Sequence, residues 1–274
     1  MQENLKNHKI KLSKYYIAYI DILGIKKAIS SSESENYLNK IKELYDATLE
    51  LIKANCNNQY FLNAKIKIFS DNIVIAIKKT EQLEFGTPND VSSCYLMIFT
   101  SFFQTLALKY SFLVRGAIVV DDLYIDENLI YGKALSTAYM LESEIANYPR
   151  IIINPENIHL FTKSDMQQKA LYKDSSNLYY LNPFEIYFDY LNEEDKEANI
   201  DSIKQILTAK LDKTNSIKIN QKICWFINMF NDFCNKYKYD NSVINIDNYP
   251  YPKYKPEVYV TARARDFVNE EFDD

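Results

Sequence analysis

Two aspartates lie where strand-like segments end or turn, and both could bind a divalent cation. Asp21 closes the β-branched and aromatic run YYIAYIDI, and Asp71 lies between the runs AKIKIF and IVIAIK. An unpaired carboxylate among apolar neighbours is costly, and two nearby carboxylates repel unless a cation lies between them. A hard ion such as Mg²⁺ takes oxygen ligands and is commonly held by one or two carboxylates plus substrate phosphates. The alternative is that both aspartates only cap turns.

The elements that must position these aspartates follow from periodicity. The first 120 residues predict strands at 15–22, 64–69, 73–78 and 112–120, with helices at 37–54 and from the early nineties to 110. Ser70, Asp71 and Asn72 tolerate a tight turn, so the second and third strands form a hairpin. The resulting β-α-β-β-α-β order is the ferredoxin-like α+β plan. Its first strand is central, so Asp21 and the hairpin turn meet at one edge of the sheet.

The rest of the chain divides less sharply. We expect a hairpin strand within 123–131, a helix over 134–146 and a short strand at 150–153. Residues 1–154 therefore form the predicted core. Residues 155–248 are a mainly helical extension, with helices near 203–211 and 218–237, and 249–274 are a Pro-rich, then acidic tail.

Composition excludes several classes of protein. The 274 residues are 47% hydrophobic with a net charge of −5, which is typical of a globular protein without a basic face for nucleic acid. Four cysteines without C-x-x-C spacing and two histidines leave too few ligands for zinc. The N-terminus lacks the apolar core of a secretory signal, and the apolar stretch 94–108 is too short for a membrane span. We expect a cytoplasmic protein in which this stretch is a buried helix.

Three segments carry a family resemblance. YIDILGIKK resembles the first metal-binding motif of class III nucleotide cyclases, and KIKIFSDNIVIAI resembles their second metal-binding hairpin. The stretch from VRGAIVVDD to YPRIIIN resembles the rest of that catalytic core, including its Leu-Glu helix end. In form, D-I-L-G, F-S-D-N and Y-G-K-A-L-x-x-A-Y-x-L-E resemble most the pyrimidine cyclases of bacterial Pycsar anti-phage systems. The resemblance covers residues 15–154, and KICWFINMFNDF resembles that group's helical C-terminal extension.

The resemblance implies roles for individual residues. Asp21 and Asp71 match the two metal-binding aspartates, and Ile22 matches the position that lends a backbone carbonyl to a metal. Lys67 matches a position that contacts the base, although an exposed strand lysine is the alternative. The loop whose backbone amides approach the triphosphate is matched by Leu23, Gly24 and Ile25, with Lys26 as a following cation.

The chain departs from the family at one pair of positions. Where purine cyclases carry an Asn and an Arg that stabilise the transition state, this sequence has Ser136 and Met140. Arg115 is the first candidate to supply that charge, with Lys133 nearby in the motif. The alternative for Arg115 is an ion pair that caps the sheet.

The implied activity is the conversion of a pyrimidine nucleoside triphosphate, UTP before CTP, to its 3′,5′-cyclic monophosphate and pyrophosphate, with two Mg²⁺ or Mn²⁺ ions per site. The resemblance also implies a head-to-tail homodimer. Each site would take its metals from one chain and its cationic groups, such as Arg115, from the other. The product would activate a separate cyclic-nucleotide-binding effector. Bulky side chains that could shorten the base pocket are Phe69, Tyr131 and Tyr139.

Two other hypotheses stay open. A polymerase-palm or diguanylate-cyclase-like enzyme would use the same sheet and paired carboxylates, but the chain lacks a G-G-D-E-F type hairpin. A catalytically inactive, cyclase-like regulatory module that only binds nucleotides would explain Ser136 and Met140. Turnover of nucleotides separates these hypotheses.

Overall fold

A computed structural model describes residues 10–25, 29–55, 64–79, 91–174, 176–213, 216–247 and 249. The predicted substrate-binding Lys26 and the tail from 250 lie outside these residues. The strands are β1 (Ser13–Ile22), β2 (Ala64–Phe69), β3 (Asn72–Lys78), β4 (Val114–Ile125), β5 (Ile130–Tyr131), β6 (Ile151–Ile153), β7 (Leu171–Lys173) and β8 (Tyr179–Leu181). The α-helices are α1 (Ser34–Asn55), α2 (Val91–Lys109), α3 (Lys133–Met140), α4 (Asp165–Ala170), α5 (Pro183–Asp189), α6 (Glu193–Asp212) and α7 (Ile217–Lys236).

The strands form one mostly antiparallel sheet in the order β2-β3-β1-β4-β6-β8-β7, with β5 paired to β4. Among the described pairs only β4 with β6 is parallel. The predicted α+β class is confirmed, and β1 lies between β3 and β4 as the β-α-β-β-α-β order requires. All residues from Tyr15 to Ile20 are buried. Because strand side chains alternate between faces, both faces of β1 are covered.

Helix α2 forms the centre of the helical layer. It contacts α1 and α5 as well as β1 and β3, and its side chains are buried almost all round from Ser92 to Leu108. Among the described helices α2 alone is long and apolar enough to cross a bilayer, and 83% of its apolar window is buried within the fold. The prediction of a buried helix at 94–108 is thus confirmed. A helix that is apolar on all sides is typical of such a core position.

The second half of the chain continues the same sheet. Strands β8 and β7 follow β6 in the sheet and lie in the segment 155–248, which the sequence predicts as mainly helical. Phe184 on α5 packs its ring against Phe226 and Phe230 of α7, with centroids 5.7 and 5.4 Å apart. The division at residue 154 stays a prediction, but β6 and β8 are hydrogen-bonded across it.

Candidate functional site

The two predicted metal-binding aspartates lie at the ends of neighbouring strands. Asp21 is in register with Asn72 of β3 on one side and with Arg115 of β4 on the other. The β2–β3 hairpin turns through Ser70 and Asp71, with Ser70 at φ 57°. The amide of Ile22 donates to the Asp71 carbonyl at 2.9 Å. The structure therefore brings the C-terminal end of β1 and the β2–β3 turn together at the same end of the sheet.

Arg115 is held between two carboxylates of its own chain. Its Nε lies 3.1 Å from Asp21 Oδ2 and 2.7 Å from Glu142 Oε1. The three side chains are only 20%, 16% and 4% exposed for Arg115, Asp21 and Glu142. The ion pair considered as the alternative role of Arg115 is present. Because Glu142 also pairs with the guanidinium, Arg115 keeps one carboxylate partner if the Asp21 carboxylate binds a metal cation instead.

This contact lies within one chain. Arg115 lies beside Asp21 of the same chain because the two residues are cross-strand neighbours on β4 and β1. The expectation that Arg115 acts in the site of a partner stays a prediction.

Tyr19 lies on β1 two residues before Asp21. Burial raises the pKa of its phenol to about 12, and the charges of Glu142, Asp21 and Asp71 add to the effect. The Tyr19 hydroxyl therefore keeps its proton at neutral pH. The Tyr19 ring also meets Tyr139 at 5.8 Å and Phe69 at 6.3 Å between centroids.

The residues present fit a hard divalent ion. Asp21, Asp71 and the Ile22 carbonyl offer only oxygen, and Asp71 is almost fully buried beside the Asn72 amide, which donates to its Oδ1 at 3.1 Å. Within the described part of the chain, no three His, Cys, Asp or Glu side chains form a metal-binding group. Two protein carboxylates, completed by phosphate oxygens and water, are the usual environment of Mg²⁺.

The loop after β1 has fewer available amides than the sequence predicts. The Leu23 amide donates to the Leu113 carbonyl at 2.8 Å and so is engaged in the sheet. Gly24 is exposed, with φ 90°, and a Cβ there would meet no atom within 4 Å. Its backbone conformation favours glycine. Ile25 is buried. The amides of Gly24 and Ile25 therefore remain as candidate donors to the triphosphate among the described residues.

The two other predicted cations among the described residues, Lys133 and Lys67, contact groups other than Asp21. Lys133 is 62% exposed, with its Nζ 3.5 Å from Asp121 Oδ2. Asp121 is opposite Tyr15, six residues before Asp21, which is about 20 Å along the strand. Lys67 on β2 donates to the Glu127 carbonyl in the β4–β5 loop. One chain alone does not bring Lys133 to the aspartates.

The sequence analysis missed Glu142 and Tyr19. Glu142 lies in a π-helical turn, Leu141–Ile145, that continues α3 over the sheet. Such turns are frequent at functional sites. The Leu-Glu pair at the helix end was the available signal, but only the packing of α3 on β4 shows that its carboxylate faces Arg115. Ser136, by contrast, is exposed on α3 and donates to the Lys133 carbonyl at 3.0 Å.

Comparison with known proteins gives structural neighbours only. The guanylate cyclase domain of RhGC from Catenaria anguillulae, in complex with GTP, is 12% identical with a TM-score of 0.43, covering 63% of this chain and 98% of that one. The catalytic core of a rhodopsin-guanylyl cyclase with converted specificity, in complex with ATPαS, is 11% identical with a TM-score of 0.43, covering 62% and 95%. A bacterial light-regulated adenylyl cyclase is 11% identical with a TM-score of 0.42, covering 72% and 57%.

No protein-family model and no curated protein matches the sequence significantly. Similarity of this extent assigns no substrate to this chain.

Proposed function

We propose that this chain is a metal-dependent nucleotide cyclase that converts UTP, or CTP, to the 3′,5′-cyclic monophosphate and pyrophosphate. The observation that carries the proposal is the pairing of two motif aspartates at one sheet edge, with Ile22 bonded to Asp71 and Asp21 bonded to Arg115. Turn-capping aspartates would not need an arginine held between two buried carboxylates.

In the proposed mechanism, Asp21, Asp71 and the Ile22 carbonyl would hold two Mg²⁺ or Mn²⁺ ions. When bound, these ions supply Lewis acidity to the phosphates and acidify the ribose 3′-hydroxyl. The 3′-oxygen forms a bond to the α-phosphorus, the bond from that phosphorus to the β-phosphate oxygen breaks, and the hydroxyl proton passes to water. Arg115, oriented by Glu142, places its positive charge beside the reacting phosphate. Tyr19 stays protonated and can donate a hydrogen bond.

The base preference rests on the aromatic side chains around Tyr19. Phe69 and Tyr139 both contact its ring and are themselves exposed, so they border the space in front of the aspartates. Tyr131, on β5, is exposed, and among the described residues its ring does not contact those of Tyr19, Phe69 or Tyr139. Of the three bulky residues predicted to shorten the base pocket, Phe69 and Tyr139 are therefore the ones to test.

We expect UTP or CTP to be cyclised in strong preference to ATP and GTP, because crowding excludes the larger purine ring. The measurement is incubation with each of the four triphosphates and Mn²⁺, followed by mass identification of products. Phe69→Ala or Tyr139→Ala should relax the preference about 10- to 100-fold, and Tyr131→Ala is the matched aromatic control. Efficient formation of cyclic AMP or cyclic GMP by the unaltered protein would contradict the preference.

The exposed position of Lys133 supports a proposed homodimer with sites at the interface. A cation about 20 Å from its own Asp21 along β1 can act only on a nucleotide held by another chain. Exposed apolar side chains that lie together commonly pack against a second protein surface. Four such side chains are exposed here: Phe69, Leu129, Tyr131 and Tyr139.

We expect a mixture of Asp21→Ala and Lys133→Met proteins to recover activity that neither has alone, because one of the two sites in the mixed dimer is intact. Activity of the mixture is compared with each variant at equal total concentration, and sedimentation reports the oligomeric state. Mixing Asp21→Ala with Arg115→Met separates the two roles of Arg115, because recovery is expected if Arg115 acts in the partner's site and none is expected if it acts beside Asp21 of its own chain. A fully active monomer would refute the shared site.

The proposed setting is anti-phage defence in the cytoplasm, with the cyclic nucleotide as a second messenger for a separate effector protein. It is supported by the D-I-L-G, F-S-D-N and Y-G-K-A-L segments alone. A catalytically inactive nucleotide-binding module remains the second candidate, because Ser136 and Met140 stand where purine cyclases carry Asn and Arg. Binding of a triphosphate without any cyclic product would favour it.

A further inference from the structure

One nitrogen atom of Arg115 faces two carboxylates. The Arg115 Nε donates a hydrogen bond to Asp21 Oδ2 at 3.1 Å, and Glu142 Oε1 lies 2.7 Å from the same nitrogen. An arginine Nε carries a single hydrogen, which it can donate fully to only one acceptor at a time. The guanidinium therefore has two arrangements within reach. The structure shows the one bonded to Asp21, and the other is bonded to Glu142.

The fold places the two carboxylates on different elements around Arg115. Asp21 is the cross-strand neighbour of Arg115 on β1, whereas Glu142 lies on the π-helical turn Leu141–Ile145, which contacts both β1 and β4. The Asp21 side chain is 16% exposed and that of Glu142 only 4%. A solute therefore reaches Asp21 more readily than Glu142.

A divalent cation at Asp21 would compete with Arg115, because like charges repel and the two cations cannot share one carboxylate at full strength. A guanidinium left partly buried without a carboxylate would be costly. Glu142 avoids that cost, since it already contacts the same nitrogen. Building on the proposed function, we infer that Arg115 is the internal counter-ion of Asp21, which the metal displaces, and that Glu142 is the positioning residue that receives the guanidinium. The affinity for metal is then set by an exchange within the chain and not by the aspartates alone.

The first test measures Mn²⁺ binding without nucleotide, from the electron paramagnetic resonance signal of the free ion. We expect Arg115→Met to bind Mn²⁺ about 10- to 100-fold more tightly than the unaltered protein, because Asp21 loses its competing counter-ion. The matched control is Lys14→Met, which removes a cation paired with Asp121 at the other end of β1. Its Mn²⁺ affinity should stay within about twofold of the unaltered protein, because salt screens charges that far apart.

The second test concerns Glu142. Glu142→Gln should weaken Mn²⁺ binding about 10-fold, because a neutral amide is a poorer partner for the displaced guanidinium. Glu144→Gln is its control, since it removes an exposed carboxylate from the same π-helical turn, and it should change the affinity little. In the Arg115→Met background, Glu142→Gln should cause a much smaller loss, because Glu142 acts through Arg115.

Equal Mn²⁺ affinities of Arg115→Met and the unaltered protein would overturn the exchange. An equal loss from Glu142→Gln in both backgrounds would overturn the role of Glu142. Melting curves show whether each variant is folded, and if Arg115→Met is not, equal affinities of Glu142→Gln and Glu144→Gln would overturn the inference. Absence of Mn²⁺ binding in every variant would overturn both the inference and the metal site. If the affinities follow the expected order but no triphosphate is cyclised, the proposed function fails and the exchange stands.

Discussion

Replacing Asp21 or Asp71 with Ala is expected to abolish cyclic-nucleotide formation, a loss of at least about a thousandfold, while the protein remains folded. Each substitution removes one of two carboxylates that would hold the metals and the triphosphate. Neither removes core packing. In Asp21→Ala the Arg115 guanidinium keeps Glu142 at 2.7 Å, so no buried charge is stranded. Mass spectrometry of the products measures the loss of cyclisation. A melting curve for each variant shows whether the protein remains folded.

The matched control is Asp46→Ala, which removes an exposed carboxylate from α1 that pairs with Lys42 four residues earlier. Its activity and stability should stay close to those of the unaltered protein, because exposed helix pairs contribute about 0.3–0.5 kcal/mol. Near-normal cyclisation by Asp21→Ala or Asp71→Ala would rule out the two-metal site. A large fall in melting temperature would instead support a turn-capping role.

Replacing Arg150 with Met is expected to destabilise the fold by about 3–5 kcal/mol, because it strands a buried carboxylate. Arg150 and Asp174 form an ion pair in which the side chains are only 4% and 6% exposed. Asp174 Oδ1 also accepts from the amides of Ser176 and Leu178 at 2.9 and 3.0 Å, which fixes the turn between β7 and β8. Urea unfolding measures the change in free energy.

The double variant Arg150→Met with Asp174→Asn tests whether the two charges act as a pair. It removes both charges and keeps the Asn carbonyl as an acceptor for the turn amides, so its loss should be well below the sum of the single losses. Strictly additive losses would mean that the two side chains do not stabilise each other. The Lys42–Asp46 pair again serves as the exposed comparison.

Local patterns predict the part of the site that belongs to long, regular strands. The run YYIAYIDI is buried on both faces and so must be a central strand, and Ser70-Asp71 favours a tight turn. Once β1 is central, adjacency of Asp21 and the hairpin turn follows from topology. The position of Arg115 opposite Asp21 follows as well, because β4 must pair with β1.

The remainder of the site depends on packing that no local pattern encodes. Strands β7 and β8 have three residues each, too few to show a period of two. Glu142 faces Arg115 only because a π-helical turn follows α3.

The pairing of β6 with β8 has a consequence for any shortened form of the protein. A chain ending at residue 154 would keep β6 but lose β8, leaving the backbone groups of Ile151 and Ile152 without their strand partner. An apolar edge strand without a hydrogen-bonded neighbour can pair with strands of other chains, which promotes aggregation. The same cut would uncover the face of α2 that packs on α5. The two halves of the chain should therefore unfold in one cooperative step, and a soluble minimal fragment must extend through α7.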